Sequence, residues 1–214
     1  MECRSCGGCS LETILDLGKH AWCNHFITLK ERGREPLYPL RMVYCHNCSL
    51  AQLDYTVKKE VMFADHSYVS GTTETLGLHF FKVASENKKQ FGLTEKDLIL
   101  DIGGNDGTQL LQYKGIGCDN VLNIESAFNI AKLSKEAGIR TIPEFFNEAS
   151  VDKHDLAGKV KLINASGVFF HLEELHSVIR GIKKALTRDG IFVVQFMYLG
   201  DMIEKMSFDG IYHE

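Results

Sequence analysis

Cysteines are concentrated at the start of the chain, where six of the seven lie within the first 48 residues. Four of them form two C-x-x-C motifs, Cys3 with Cys6 in CRSC and Cys45 with Cys48 in YCHNC. Two residues between thiolates allow one tight turn to direct both sulfurs at a single ion, and two such turns complete a tetrahedron. The spacing therefore predicts a structural Zn(II) site with these four cysteines as its ligands.

Other ligand sets remain open. Cys9 or Cys23 could replace one of the four thiols, and His20, His25 or His46 could compete with them. A redox-active C-x-x-C pair is disfavoured, because that motif belongs to a strand-to-helix junction in a βαβ unit, which this region lacks. A zinc ribbon that serves as a binding module on a non-catalytic body is a rival hypothesis of a different class.

The second chemical signal is the stretch DLILDIGGNDGTQLLQY. Residues 98–102 predict a buried parallel strand, and the glycine-rich turn after it leads into a helix. Such a turn allows a ligand to approach the backbone and directs helix N–H groups at it. The spacing D-x-G-x-x-x-G differs from the G-x-G-x-x-G of dinucleotide folds and is typical of S-adenosylmethionine (SAM) methyltransferases. We therefore expect Asp101, Gly103, Asn105 and Gly107 to bind SAM.

Three further strands supply candidate cofactor contacts at their carboxyl ends. The strand NVLNIES ends on Glu125, whose carboxylate can accept both ribose hydroxyls, although a Glu here alone fits a solvated strand end. After the strand IRTI, Glu144 could meet the adenine amine and Phe145 or Phe146 could cover the ring, but both phenylalanines also fit a plain core. The strand KVKLINAS opens at Asn164 to Ser166 onto the face where the methyl donor would lie.

Apolar strands that alternate with helices predict a parallel α/β sheet in the order 3-2-1-4-5, the Rossmann-like sheet of class I SAM methyltransferases. The fourth strand is followed by an amphipathic helix that we expect to end at Gly190, and then by the strand IFVVQF. The predicted domains are a zinc-binding module at 1–56, a linker at 57–91 with a helix over roughly 72–91 that caps the cofactor, and a SAM-binding domain at 92–214.

Bulk composition excludes several partners. The chain has 214 residues, is 44% hydrophobic and carries a net charge of −4, which gives no general attraction to nucleic acid. No apolar run is long enough to span a bilayer, so no membrane partner is expected. The first residues show no apolar core of a signal peptide, and the odd number of cysteines argues against a disulfide framework. We therefore expect a cytoplasmic protein, whose oligomeric state the sequence does not reveal.

Several motifs occur together in one order. The two C-x-x-C pairs, FADHSYVSGTTETLGLHF, DIGGNDGT, VFFHLEEL and YLGDMIEKMSFDGIYHE resemble, over essentially the whole chain, the SAM-dependent sugar C-methyltransferases with an N-terminal zinc module. Those enzymes methylate the carbon next to the ketone of a nucleotide-linked 4-keto deoxysugar. The resemblance implies that Tyr68, His171, Tyr212 and Glu214 surround the sugar, polarise its keto oxygen, orient it and support a catalytic base. A SAM methyltransferase acting on another small molecule is the alternative within enzymes.

The tail follows the family motif Tyr-His-Glu-His through Tyr212, His213 and Glu214, and the second histidine, which is the base in the family, would come next. The family also continues with two more core strands and a further domain. The resemblance therefore implies an N-terminal fragment or truncated product, with a sheet incomplete at its C-terminal edge, weak SAM binding and no methyl transfer.

The chain also departs from the family at two places. A Ser-Gly pair that ends at Gly167 replaces the usual Asn-Asn after the fourth strand, and Gln195 replaces a Glu in the fifth. Another substrate, weaker SAM binding or lost activity would each fit these changes.

Overall fold

The computed structural model describes residues 1–213 and divides them into two compact units, a first of residues 1–62 with 197–213 and a second of residues 63–196. The strands are β1 (Leu11–His20), β2 (Tyr38–Cys45), β3 (Ala51–Leu53), β4 (Leu98–Ile102), β5 (Val121–Ile124), β6 (Thr141–Ile142), β7 (Val160–Ser166) and β8 (Leu186–Gln195). The α-helices are α1 (Lys59–Phe63), α2 (Glu74–Phe91), α3 (Thr108–Gly115), α4 (Phe128–Glu136), α5 (Glu148–Lys153), α6 (Leu175–Ala185) and α7 (Leu199–Glu204).

The first unit contains a three-stranded antiparallel sheet in the order β1-β2-β3. Its central strand, β2, is apolar enough to bury Leu40 and Val43, and it ends at the buried Cys45. Leu11 at the start of β1 is the register partner of Cys45, so the sheet brings the N-terminal segment beside the second C-x-x-C motif.

The second unit contains a five-stranded parallel sheet in the order β6-β5-β4-β7-β8. In order of appearance within this unit the strands run 3-2-1-4-5, as predicted. The α/β class and the class I SAM-methyltransferase type of sheet are confirmed. All five residues of β4 and all four of β5 are buried, which is why these strands form nearly continuous apolar runs.

Helices pack on both faces of this sheet. One face carries α5 and α6 against β4, β5 and β7, with a core that includes Leu100, Ile124, Val151, Ile163, Val178 and Ile182. The other face carries α2 and α3, with a core that includes Ala84, Ile99, Leu110, Tyr113, Val121 and Leu162. The sheet is therefore buried on both sides, and its strand ends are the places where polar side chains can meet a ligand.

The predicted C-terminal end is right for one helix, α2, and wrong for another, α6. α2 matches the expected helix, and it ends where Gly92 adopts a left-handed φ of 62°. α6 ends at Ala185, so the expected end at Gly190 is wrong. Leu186 already pairs with Val160, and a register shift then carries the chain to Ile191 opposite Leu162. Sheet pairing thus begins before Gly190, the residue at which the sequence predicts the helix to end.

Across residues 1–213, no helix combines the length and apolar character that crossing a membrane requires.

Candidate functional site

The four predicted cysteines converge on one point. The sulfurs of Cys3, Cys6, Cys45 and Cys48 all lie within 4.8 Å of one another. The Sγ atoms of Cys3 and Cys48 are 3.5 Å apart, and those of Cys6 and Cys45 are 3.7 Å apart. A tetrahedral Zn(II) ion with Zn–S bonds of about 2.3 Å needs sulfur–sulfur separations of about 3.8 Å. The cluster therefore fits a four-sulfur zinc site.

Both C-x-x-C motifs close by the same backbone turns. The N–H of Gly7 donates to the carbonyl of Cys3 at 2.9 Å, and the N–H of Ser49 donates to the carbonyl of Cys45 at 2.8 Å. Gly7 and Ser49 both adopt left-handed φ angles, 71° and 63°. The backbone N–H of Gly8 also lies 3.4 Å from the sulfur of Cys6, a contact that stabilises a thiolate. Two local turns thus set the metal geometry.

Proton affinity within the cluster is unequal. The backbone hydrogen bond at Cys6 is the main reason that the pKa of Cys3 falls to about 6. The pKa of Cys48 rises to about 12. A hydrogen bond from the backbone of Leu50 favours its thiolate, but burial and the surrounding thiols together disfavour the thiolate more strongly. A cation at the centre would supply the charge that lets all four thiols ionise.

The competing ligands that the sequence left open lie elsewhere. In residues 1–213 the cluster contains neither Cys9 nor Cys23. The ring of His46 bonds to Glu12 at 2.8 Å, and the ring of His25 stacks on Trp22 with centroids 4.8 Å apart.

In the second unit, the glycine turn after β4 needs glycine for two reasons. Gly103 has a φ of +62°, and a Cβ there would lie 2.8 Å from Cγ2 of Val168. Gly107 has a φ of +86°, and a Cβ there would lie 2.9 Å from Cγ1 of Ile139. Any side chain at either position would strain the backbone and displace a neighbour, so the turn strongly favours glycine at both positions.

Asp101 lies under this turn and is almost fully buried, with 1% of its surface exposed. Its Oδ2 has no hydrogen-bond partner within residues 1–213, nor does Nδ2 of Asn164, its register partner on β7. Burial, together with the nearby charge of Glu125, raises the pKa of Asp101 well above its ordinary value. A buried acceptor beside a buried donor fits the ammonium and carboxylate of an amino-acid ligand such as the methionine end of SAM.

Glu125 follows β5 at the same edge of the sheet and is 6% exposed. Its Oε1 accepts the N–H of Ala127 at 2.8 Å, and its Oε2 accepts the N–H of Asn105 at 2.9 Å. Burial raises its pKa in spite of these two hydrogen bonds. Each oxygen retains a second lone pair, so the carboxylate is held in place with acceptor capacity for a ribose diol.

The adenine candidates differ in burial. Phe146 is 4% exposed and packs in the core, whereas Phe145 is only partly buried and is the better placed of the two to cover a ring. Glu144 is engaged by the side chains of His154, at 2.7 Å, and Lys153. Ser166 is partly buried at the end of β7.

Tyr68 and His171 are linked through two rings inside the second unit. The ring centroids of Tyr68 and His66 are 6.3 Å apart, those of His66 and Phe63 are 6.2 Å apart, and those of Phe63 and His171 are 5.7 Å apart. The backbone carbonyl of Tyr68 also accepts a bond from the side chain of Asn105 at 3.1 Å. The structure thus places the candidate tyrosine beside the glycine turn, with 48% of its surface exposed.

Tyr212 belongs to the first unit and is 47% exposed. The next residue, His213, is buried, and its Nε2 lies 3.2 Å from the carbonyl oxygen of Tyr38. Glu214 lies outside the described residues. A grouping of Tyr212 and Glu214 with Tyr68 and His171 stays a prediction.

The two departures from the family pattern have clear surroundings. Gly167 has a φ of +71°, and no atom lies within 4 Å of the position that a Cβ would take. The side-chain oxygen of Gln195 lies 2.7 Å from Nε2 of His79 on α2.

Sequence reasoning missed a buried polar chain below the site. Asn87 donates to the hydroxyl of Tyr113 at 2.7 Å, and that hydroxyl donates to Oδ1 of Asn164 at 3.3 Å. Burial raises the pKa of Tyr113 to about 12, so the hydroxyl keeps its proton and fixes the orientation of the Asn164 amide. The signal was present as single polar residues inside strands that are otherwise apolar, such as Asn123 and Asn164.

Comparison with known proteins gives one family match and one curated relative. Residues 3–63 match the family described as "Putative zinc binding domain". The whole chain is 29% identical, over 218 residues, to the C-methyltransferase NovU of Streptomyces niveus, and it spans 51% of that protein, about half its length.

Among solved structures, the PH0226 protein of Pyrococcus horikoshii OT3 is similar at a TM-score of 0.55 over 71% of each chain, with 13% identity. A chain titled as a putative S-adenosyl-L-methionine-dependent methyltransferase of Methanococcus maripaludis gives a TM-score of 0.49 over 64% of this chain and 68% of that chain, with 16% identity. The likeness to the PH0226 protein concerns the fold of the α/β sheet.

Proposed function

We propose that the protein to which this chain belongs is a SAM-dependent C-methyltransferase that acts on a nucleotide-linked 4-keto deoxysugar. The observation that carries the proposal is the presence of two buried carboxyl groups, Asp101 and Glu125, beside one turn in which Gly103 adopts a left-handed φ. Identity to a protein named as a C-methyltransferase, over the whole of this chain, supports the class of reaction. The 4-keto deoxysugar rests on the resemblance of the motifs.

The cofactor would be held along the carboxyl ends of β4, β5 and β7. Asp101 and Asn164 face its amino-acid end, Glu125 its ribose and Phe145 its adenine. When bound, SAM supplies an electrophilic methyl group, because its sulfonium is a good leaving group. Ser166 lies at the end of β7, beside the place that this methyl group would take.

The methyl acceptor requires help from the protein. A carbon beside a ketone is not a nucleophile until a base removes its proton, and the oxyanion that then develops must be stabilised by hydrogen-bond donors. We assign the Tyr68 hydroxyl to the keto oxygen, because the backbone of this residue is bonded to the glycine turn. His171, packed against Phe63, would orient the sugar, and Tyr212 and Glu214 would support the base.

Zinc has a structural role in this proposal. Four sulfur ligands leave no open coordination position, so the ion holds the two C-x-x-C turns together and takes no part in methyl transfer. A cytoplasmic location and the absence of a nucleic-acid partner complete the proposal, in keeping with the net charge of −4.

The test uses the full-length gene product. Calorimetry should detect binding of S-adenosylhomocysteine, and Glu125→Ala should weaken it at least tenfold because the ribose loses its acceptor. Tyr68→Phe should keep this binding and lose methyl transfer to a 4-keto sugar nucleotide, followed by mass spectrometry.

Tyr55→Phe is the matched control, because Tyr55 is a tyrosine of similar exposure, 41%, in the first unit. It should transfer methyl groups at the native rate. A native protein that binds S-adenosylhomocysteine but methylates no 4-keto sugar nucleotide would exclude the substrate, and a protein that binds no cofactor would exclude the reaction class.

A further inference from the structure

Residues 63–72, which run from the last residue of α1 to just before α2, lie along the loops that follow β4 and β5; we call this ten-residue segment the strap. Its first residues contact the loop after β5, where the carbonyl of Phe63 accepts the hydroxyl of Ser126 at 3.2 Å and the carbonyl of Ala64 accepts the N–H of Phe128 at 3.3 Å. The strap contains Tyr68 and belongs wholly to the second unit.

Two asparagine side chains hold the strap on either side of Tyr68. Nδ2 of Asn129 donates to the carbonyl of His66 at 2.6 Å, and Oδ1 of Asn129 accepts the N–H of His66 at 3.3 Å. Nδ2 of Asn105 donates to the carbonyl of Tyr68 at 3.1 Å, and its Oδ1 accepts the N–H of Ser70 at 2.9 Å. Each amide therefore donates one N–H to the strap backbone and accepts one N–H from it.

A third contact continues this attachment. Oδ2 of Asp106 accepts the N–H of Gly71 at 2.9 Å, and a Cβ on Gly71 would lie 2.5 Å from that oxygen. The other carboxylate oxygen, Oδ1, accepts the N–H and the hydroxyl of Thr108 at 3.1 and 2.7 Å, at the start of α3. Asp106 thus ties the strap to the helix that follows the glycine turn, and Gly71 permits the close approach.

Asn105 connects the strap to the predicted cofactor contacts as well. Its backbone N–H donates to Glu125 at 2.9 Å, and its carbonyl accepts Nδ2 of Asn123 at 2.9 Å. Its φ of 51° is left-handed, a conformation that asparagine tolerates better than most residues. A ligand that hydrogen-bonds to the Glu125 carboxylate therefore contacts a partner of Asn105, the residue that also bonds to the backbone of Tyr68.

We propose that Asn105 and Asp106 are positioning residues that fasten the strap to the glycine turn, so that cofactor binding and placement of Tyr68 are coupled. The coupling rests on the proposed function, whereas the attachment itself is a property of the unliganded chain. Asn105, expected from the sequence to contact SAM, would then act with its backbone on the cofactor side and with its amide on the strap.

Hydrogen exchange at single amides of the full-length gene product tests the attachment without ligand. Asn105→Gly removes the amide but suits the left-handed φ, and it should speed exchange at Ser70 at least tenfold. Asp106→Ala removes the carboxylate that accepts the N–H of Gly71 and should do the same at Gly71. The matched control is Asn120→Asp, because the amide of Asn120 donates to the carbonyl of Lys96 at 3.2 Å in the loop that precedes β5; exchange at the strap should not change.

The same exchange measurement in the presence of a cofactor product tests the coupling. S-adenosylhomocysteine should slow exchange at Ser70 and Gly71 in the native protein, and this slowing should be lost in Asn105→Gly but kept in Asn129→Asp, which loosens the strap away from the glycine turn. Native exchange rates at Ser70 in Asn105→Gly would overturn the attachment.

Binding of S-adenosylhomocysteine that leaves strap exchange unchanged would overturn the coupling alone. No binding at all would overturn the coupling together with the proposed function, and the unliganded measurements would still decide whether the attachment exists.

Discussion

Replacement of Asp101 by Asn should stabilise the protein and impair its cofactor site at the same time. Asp101 is buried at the end of β4, its Oδ2 has no partner within residues 1–213, and the charge of Glu125 lies nearby. A buried polar group without a partner costs about 1–3 kcal/mol, and more when it is charged. Asparagine removes the charge at nearly constant shape, so we expect a gain of about 1–3 kcal/mol in the free energy of unfolding at pH 8.

The sign of the pH dependence follows from the raised pKa of Asp101. The native state keeps this proton over a range, upward from about 3.8, in which the unfolded chain has lost it. The free energy of unfolding therefore falls as pH rises from 3.8 to the folded pKa, by up to about 1.4 kcal/mol per pH unit, and stays lower above it. The advantage of Asp101→Asn should accordingly be large at pH 8 and small at pH 4.

Urea denaturation at several pH values, followed by circular dichroism at 222 nm, measures this difference, because the longest helices, α2 and α6, lie in the second unit. Asp119→Asn is the control, since Asp119 is exposed and its replacement should change stability by less than about 0.5 kcal/mol. The same variant, Asp101→Asn, should bind S-adenosylhomocysteine at least tenfold more weakly. A variant less stable than native at pH 8 would refute the buried-charge reasoning, and a stabilised variant with native binding would remove Asp101 from the cofactor site.

Three further predictions concern the zinc cluster of the first unit and two glycines of the second. Zinc removal by a chelator, or Cys48→Ser, should unfold the first unit and change the fluorescence of Trp22, the single tryptophan of the chain; unchanged emission would contradict a structural metal. Gly103→Ala should destabilise the second unit by about 1–3 kcal/mol in urea, because it adds a left-handed penalty to a clash with Val168; native stability would show that the turn can relax. Gly167→Asn should leave stability within about 0.5 kcal/mol of native, because the site is open and asparagine tolerates positive φ, and calorimetry should show tighter S-adenosylhomocysteine binding; weaker binding would count against a cofactor contact there.

Sequence alone predicted the elements whose signals are local. The zinc cluster follows from two short turns, each of which fixes a pair of sulfurs without help from the rest of the fold. β4 was predicted at Leu98–Ile102 because a buried strand of a parallel sheet is apolar on both faces and ends at glycine. The end of α6 was not predicted correctly, because the pairing of Leu186 with Val160 depends on the sheet and cannot be read from the helical pattern of apolar residues.

The row of polar residues beneath the site can be recognised only from the register of three strands, β4, β5 and β7. Asp101 is predicted from the glycines after it and Asn164 from its place near the end of the fourth strand, but Asn123 appears in sequence as an isolated polar residue in an apolar strand. Only the pairing of Asp101 with Asn123 on one side and Asn164 on the other shows that all three share one row and one face of the sheet. A polar residue at the same level of three adjacent strands is then a stronger indication of a ligand site than any one of them.

Asn105 shows that a residue singled out by a local motif can have a second role that the motif does not predict. Its place in the glycine turn predicts a cofactor contact, and its amide also bonds to backbone groups of residues 68 and 70, far away in sequence. No local pattern announces such a contact, because any backbone N–H and carbonyl can satisfy an amide. Asn105 thus joins the strap that carries Tyr68 to the glycine turn without needing a particular side chain opposite it. The sequence of the strap matters at Gly71, where a Cβ would lie 2.5 Å from Oδ2 of Asp106.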